Sequence, residues 1–144
     1  MNRIYDKLRL DGQLCFPLYA ASRQIIKQYK PHLDRIDLTY TQYITMMLLW
    51  ERGSLTSREL GERLFLDSGT LTPVLKKLEK KGLLIRERSE KDERNLEVTL
   101  TDEGERLADV ASDIPDRMAE CMHLSSDDAT MLYGILYKIL EAER

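Results

Sequence analysis

Between Thr56 and Leu100 a helix start, a short turn, a second helix and two strand patterns follow one another without a gap, and few folds accept that order in so few residues. Thr56-Ser57-Arg58-Glu59 has the spacing of a capping box, in which the threonine hydroxyl and the glutamate carboxylate satisfy each other's free backbone N–H groups. A helix is predicted from there to about Leu64, then a turn over Phe65, Leu66 and Asp67, then a second helix over about Ser68 to Lys81. Leu71, Val74, Leu75 and Leu78 recur at i, i+3, i+4 and i+7 and form one buried stripe. Gly69, Pro73, Lys76 and Lys80 point the other way, flanked by Thr70, Thr72 and Lys77. Proline is comfortable only in a first turn, which moves the expected regular start of this helix toward Thr70. Gly82 is placed to supply a left-handed C-terminal residue. The period then changes to that of strands, with Leu83, Leu84 and Ile85 in one arm and Leu96, Val98 and Leu100 alternating along the other. The polar stretch from Ser89 to Asn95 joins them as a solvated tip. The expected architecture is mainly α with a small β-hairpin wing, a winged helix-turn-helix over about 54–100.

Charge along the chain is uneven in a way that suits this motif. From Ser68 to Arg88 there are six Lys/Arg against two Asp/Glu, although the whole chain carries a net charge of -3. Such a local excess on one helix and wing is the electrostatic footprint of a DNA-facing element. Residues 101–144 hold eleven acidic and four basic groups, so that half is expected to face away from a duplex.

A chain of 144 residues, 42% hydrophobic, suffices for one domain with a core. Its longest apolar run, Ile44 to Trp50, is too short to span a bilayer, and the N-terminus lacks the build of a signal peptide, so a cytoplasmic location and no membrane partner are expected. Two cysteines in such a setting are judged as separate thiols rather than as a disulfide framework. His32 and His123 are isolated and offer no metal-ligand spacing with them, so neither a metal nor a cofactor is expected. Helical character extends over about 10–30, with Asp11 a candidate cap, Pro17 a first-turn or kink residue, and Pro31 expected to stop the helix near Tyr29 or Lys30. A further helix is expected over about Thr41 to Arg52, ended by Gly53, and another after a Thr101 cap, bent at Pro115 if it runs on toward Cys121. Ser125-Ser126-Asp127-Asp128 reads as another capping box and opens a last helix in which Ala129, Leu132, Tyr133, Leu136, Ile139 and Leu140 line one face. That stripe is either core or a dimer interface; with little core for the two chain ends to cover, helices at about 10–30 and 101–142 are expected to pair two copies, as is common for such DNA-binding motifs.

Four stretches together resemble a known family: Leu14-Cys15-Phe16-Pro17-Leu18-Tyr19-Ala20-Ala21-Ser22-Arg23, Leu38-Thr39-Tyr40-Thr41-Gln42-Tyr43, Leu66-Asp67-Ser68-Gly69-Thr70-Leu71-Thr72-Pro73, and Asp92-Glu93-Arg94. They are similar to the organic-hydroperoxide-sensing repressors of the MarR family, over nearly the whole chain from about Leu10 onward. The Asp-x-Arg wing is common to the family at large, whereas the surroundings of Cys15 and the stretch from Leu66 to Pro73 point to its thiol-based branch. The resemblance implies a single MarR-type domain over 1–144 that forms a homodimer, binds a pseudo-palindromic double-stranded DNA operator, and lets go when an organic hydroperoxide oxidises Cys15. It further implies Tyr29 and Tyr40 as hydrogen-bonding partners of the sulfur, Arg94 as the wing arginine that enters the minor groove, and Asp92 as the carboxylate that steadies it. Tyr19, one helical turn after Cys15, is a candidate to join the thiol-supporting group.

The chemistry agrees with this assignment. A thiolate rather than a thiol attacks a peroxide O–O bond, so a sensor needs groups that stabilise an anionic sulfur, and tyrosine hydroxyls or a helix start do so. The resulting sulfenic acid condenses with another thiol. That second thiol is either Cys121, a candidate resolving cysteine as in some members of the branch, or a low-molecular-weight cellular thiol, with Cys121 passive. On the DNA side, the helix face carrying Ser68, Thr70, Thr72, Lys76 and Lys77 is expected in the major groove, with Arg86 and Arg88 at the wing base on the backbone. The bland alternative for Cys15 is a buried small hydrophobe. The alternative function is a MarR-type repressor answering to a small lipophilic or aromatic ligand with Cys15 inert. An enzyme, a peroxidase turning over at Cys15, is disfavoured because no second catalytic constellation appears.

Overall fold

The computed structural model describes residues 3–88, 90 and 95–143. The order of elements is α1 (Arg3–Lys7), a 3-10 turn (Leu10–Gly12), α2 (Cys15–Asp34), α3 (Tyr40–Arg52), β1 (Ser54–Thr56), α4 (Ser57–Leu64), α5 (Ser68–Lys80), β2 (Leu84–Arg88), β3 (Leu96–Leu100), α6 (Asp102–Ala111), α7 (Ile114–Cys121) and α8 (Ser126–Glu141). Two compact units divide it, Met1–Ile114 and Pro115–Arg144.

In the first unit the core gathers the inward faces of α3, α4, α5 and the sheet. Met46, Leu49, Leu60, Leu71, Leu75, Leu78, Leu84 and Val98 are buried almost completely. The three strands are antiparallel in the order β1-β3-β2, with Leu55 opposite Val98 and Arg86 opposite Val98 on the other side. Strand β1 is an addition to the expected hairpin. Three residues are too short to show alternation, and its partner lies more than forty positions along the chain. The α6 backbone comes very close to the sheet: a Cβ added at Gly104 would lie 2.0 Å from the Leu83 carbonyl oxygen, and Gly104 in turn accepts a 2.8 Å hydrogen bond from the Trp50 indole. Among the described residues no helix is long and apolar enough to cross a membrane.

Several boundaries differ from expectation. Helix α2 begins at Cys15, because Asp11 is paired with Arg9 instead of capping it. Pro17 falls in its first turn, where the missing N–H costs nothing. Pro31 does not stop it; the helix runs on to Asp34, held down by buried Leu33 and Ile36, and closes with Leu38 N–H donating to Leu33 and Asp37 in the left-handed region at φ +52°. Helix α3 starts one residue earlier than expected because Thr39 and Gln42 form a full capping box. Helix α5 does start at Ser68 as expected, and Pro73 does not push its regular start toward Thr70, since Asp67 caps it and Gly69, whose carbonyl Pro73 leaves without a partner, is exposed. After Thr101 caps α6 the chain breaks at Ser112, so Pro115 opens a new helix rather than bending an old one. In the second unit, α8 is capped by Ser125 and has no buried residue; Met131, Tyr133 and Ile139 are all more than half exposed.

Candidate functional site

The recognition element is positioned by local chemistry at both of its ends. Thr56 accepts from Glu59 N–H at 3.1 Å and Glu59 from Thr56 N–H at 2.9 Å, which fixes the start of α4. Helix α4 ends on Phe65 in the left-handed region at φ +56°, with Leu66 N–H returning to the Gly61 carbonyl at 2.9 Å. Two residues later Asp67 takes the Thr70 N–H at 2.7 Å, and that backbone bond holds its carboxyl below the usual carboxylate range. The four apolar residues of the expected stripe are buried, and Ser68, Thr70, Thr72, Lys76 and Lys77 are all exposed. Beside them a groove of about 400 Å³ is lined by Ser57, Arg58, Ser68, Thr72 and Asn95, joining the recognition face to the base of the wing.

The two arginines at the wing base separate in role. Arg88 is exposed at the end of β2. Arg86, expected on the DNA backbone, has a side chain only 16% exposed and directs its guanidinium to Glu79 of α5 at 3.0 and 3.3 Å. Its geometry fastens the wing to the recognition helix. Asp92 and Arg94 lie outside the described residues.

Cys15 is the first residue of α2 and is exposed. Its chain neighbours Leu14, Phe16 and Leu18 are exposed as well. Tyr19 is exposed on the same helix, with the Arg23 guanidinium 5.4 Å from its ring centre and donating to its hydroxyl at 3.3 Å. Tyr29 and Tyr40 form a cluster with Tyr43, at ring separations of 5.0, 5.8 and 6.4 Å. Burial pushes all three phenols up, Tyr43 to about 12, so their hydroxyls are neutral donors near pH 7. Cys15 and Tyr29 lie on one unbroken helix fourteen residues apart. At the helical rise that is about 21 Å, far beyond hydrogen-bond reach within one chain. Cys121 ends α7 in the second unit, half-buried and unpaired. Tyr43 was absent from the expected site; its spacing of i+3 from Tyr40 is the signal that points to it.

A family model described as transcriptional regulator SarA/Rot matches residues 27–110. The organic hydroperoxide resistance transcriptional regulator of Bacillus subtilis is 48% identical over 141 residues, 98% of this chain and 96% of that protein. The chain belongs to the MarR family of transcriptional regulators. This MarR-family chain also superposes on solved structures of AbfR, a protein of Staphylococcus epidermidis. Reduced AbfR bound to DNA gives a TM-score of 0.80 at 35% identity, covering 95% of this chain and 97% of that one. The disulfide-formed AbfR gives 0.64 at 34% identity, covering 98% and 96%. Fold and relatives together make it a DNA-binding transcriptional regulator and not an enzyme.

Proposed function

We propose that this MarR-family regulator is a homodimeric repressor that holds a pseudo-palindromic operator while Cys15 is reduced and releases it when an organic hydroperoxide oxidises that thiol. The observation that carries this reading is Cys15 itself, exposed at a helix start among exposed apolar residues rather than buried as a small hydrophobe. An apolar surround suits peroxides with organic tails. The distance along α2 supports a second point: Tyr29 lies too far along the helix to reach Cys15 of its own chain, so on this reading it and Tyr40 serve Cys15 of a partner protomer and the sensor site is completed across the dimer. The exposed apolar residues of α8 and of the chain start supply the surface for that pairing. Two recognition helices then sit about 34 Å apart, one turn of the duplex.

On this reading Ser68, Thr70 and Thr72 face base edges in the major groove and Lys76, Lys77 and Arg88 neutralise phosphates, while Arg94, steadied by Asp92, enters the minor groove. The thiolate sulfur attacks one peroxide oxygen, the O–O bond breaks, and the alkoxide leaves and takes up a proton as an alcohol; the sulfur keeps the other oxygen as a sulfenic acid. Condensation with a second thiol expels water and forms a disulfide. Cys121 and a low-molecular-weight thiol are the two candidates for that step. Repacking of the tyrosine cluster then shifts the winged motifs out of groove spacing. A hundredfold loss of operator affinity requires only about 2.7 kcal/mol, within ordinary coupling.

The test is mass analysis of Cys15 and Cys121 after sub-stoichiometric cumene or lipid hydroperoxide, with operator affinity measured on the same sample. Loss of binding with a mixed disulfide at Cys15 identifies the small-thiol route, and a crosslinked dimer identifies Cys121; dithiothreitol should restore binding in both cases. Release that persists in Cys15→Ser would favour the reading in which a small lipophilic or aromatic ligand is the signal.

A further inference from the structure

Lys81 is the C-terminal cap of α5, at the opposite end of the recognition helix from Asp67. Its ammonium is engaged within the chain. It donates to the backbone carbonyl of Asp37, lies 3.4 Å from the Asp37 carboxylate, and reaches the Gln42 side-chain oxygen at 3.5 Å. Each acceptor belongs to the corner between α2 and α3. Asp37 is the left-handed residue that closes α2. Gln42 is buried, and the same side-chain oxygen accepts from Thr39 N–H at 3.0 Å in the capping box that starts α3. Thr39 is followed by Tyr40, whose ring meets Tyr29 at 5.0 Å. One capping box and one ammonium therefore separate the tyrosine cluster from the far end of the recognition helix.

We infer that Lys81 is a positioning residue that couples the Tyr29–Tyr40 cluster to the recognition helix, through the Asp37 carbonyl and the Thr39–Gln42 capping box; this rests on the functional reading above. The contact is poorly suited to a stabilising role. The Asp37 carboxylate is 95% exposed, so the ion pair is heavily screened and the geometric tie matters more than its energy. The tie does have directional content, because a carbonyl and an amide oxygen on two different helix ends hold one ammonium. A displacement of Tyr40 that shifts the first turn of α3 moves Thr39 and Gln42 with it, and the Lys81 stem carries that shift to the end of α5. Tilting a helix from one end changes the angle at which its other end meets the groove. Small shifts at a sensor are passed on in this way when packed elements have two discrete arrangements.

The experiment compares full-length wild type, Lys81→Met and Lys81→Arg. Operator affinity is measured before and after complete oxidation of Cys15, with oxidation followed by mass and stability by thermal melting. For a wild-type drop of about a hundredfold, Lys81→Met is expected to bind within about threefold of wild type when reduced, to oxidise at Cys15 at the same rate, and to lose less than about tenfold on oxidation. Lys81→Arg, which keeps a donor of similar reach, is expected to recover most of the wild-type drop. A wild-type drop retained in full by Lys81→Met overturns the inference. So does a parallel fall in melting temperature and reduced-state affinity with the oxidation ratio unchanged, which is what a purely structural lysine produces. Oxidised wild type that keeps its operator overturns the functional reading and this inference together.

Discussion

Glu79 on the recognition helix accepts from Arg86 three times: from the guanidinium at 3.0 and 3.3 Å and from the backbone N–H at 3.0 Å. One carboxylate thereby sets the angle between α5 and the strand that leads into the wing. Since both elements must meet the duplex together, that angle bears on how well a groove contact and a wing contact are made at once.

Replacing Glu79 with Gln removes the charge while keeping the shape. Because Glu79 is 37% exposed, the expected loss is moderate, about 1–2 kcal/mol of stability, with weaker operator binding. The Arg86 guanidinium holds the Glu79 carboxyl below its ordinary 4.5. A carboxyl lowered on folding stabilises fully above its unfolded value, and the gain disappears as pH falls through the lowered folded value. Denaturant midpoints measured from pH 6 down to 3 should therefore fall more steeply for wild type than for Glu79→Gln. Equal slopes would mean that the pair contributes nothing in solution.

Tyr43 gives the opposite sign at the alkaline end. Its phenol, pushed up to about 12 by burial, stays neutral in the folded chain after an unfolded phenol has ionised near 10. The contribution is whole below that unfolded value and is lost as pH rises through about 12. Absorbance at the phenolate band should show a late-titrating tyrosine that disappears in Tyr43→Phe, and the unfolding midpoint of the variant should decline less between pH 10 and 12. A wild-type curve in which every tyrosine titrates together near 10 would contradict the buried cluster.

The outward residues of α5 divide by chemistry. Lys76→Ala should weaken binding to all sequences alike and reduce the salt slope of binding by about 1, as expected for one lost phosphate contact. Thr72→Ala should alter discrimination between operators by about 1–3 kcal/mol at one position while leaving the salt slope unchanged. Arg86→Ala provides the contrast: its guanidinium is occupied by Glu79, so the salt slope should stay close to wild type even though the wing is released. Salt titrations on three variants separate these outcomes.

The parts of the fold that were legible in the sequence are those whose causes lie within a few residues of one another. The Thr56–Glu59 box, the Thr101 and Ser125 caps, Gly82 at φ +78° and the buried stripe of α5 all depend on neighbours three or four positions away. The resemblance carried Cys15, Tyr29 and Tyr40 as a group, although the helix expected over about 10–30 already set Cys15 and Tyr29 fourteen residues apart on one element; that Tyr43 joins Tyr29 and Tyr40 in one cluster depended on the packing of α2 against α3. Pro31 misled for the same reason: the proline signal is local, while the burial of Leu33 and Ile36 that carries the helix past it is not.

By itself the sequence determined the starts of α4, α6 and α8, which face of α5 is apolar and which segment is basic, because capping, periodicity and charge are set by residues close together along the chain. Tertiary structure alone decided that Ser54 pairs with Thr99, that Arg86 serves Glu79, and that Lys81 joins the recognition helix to the corner before Tyr40. These contacts arise when distant segments are brought together by burial, and a side chain with several possible partners takes the one that the packed core leaves within reach.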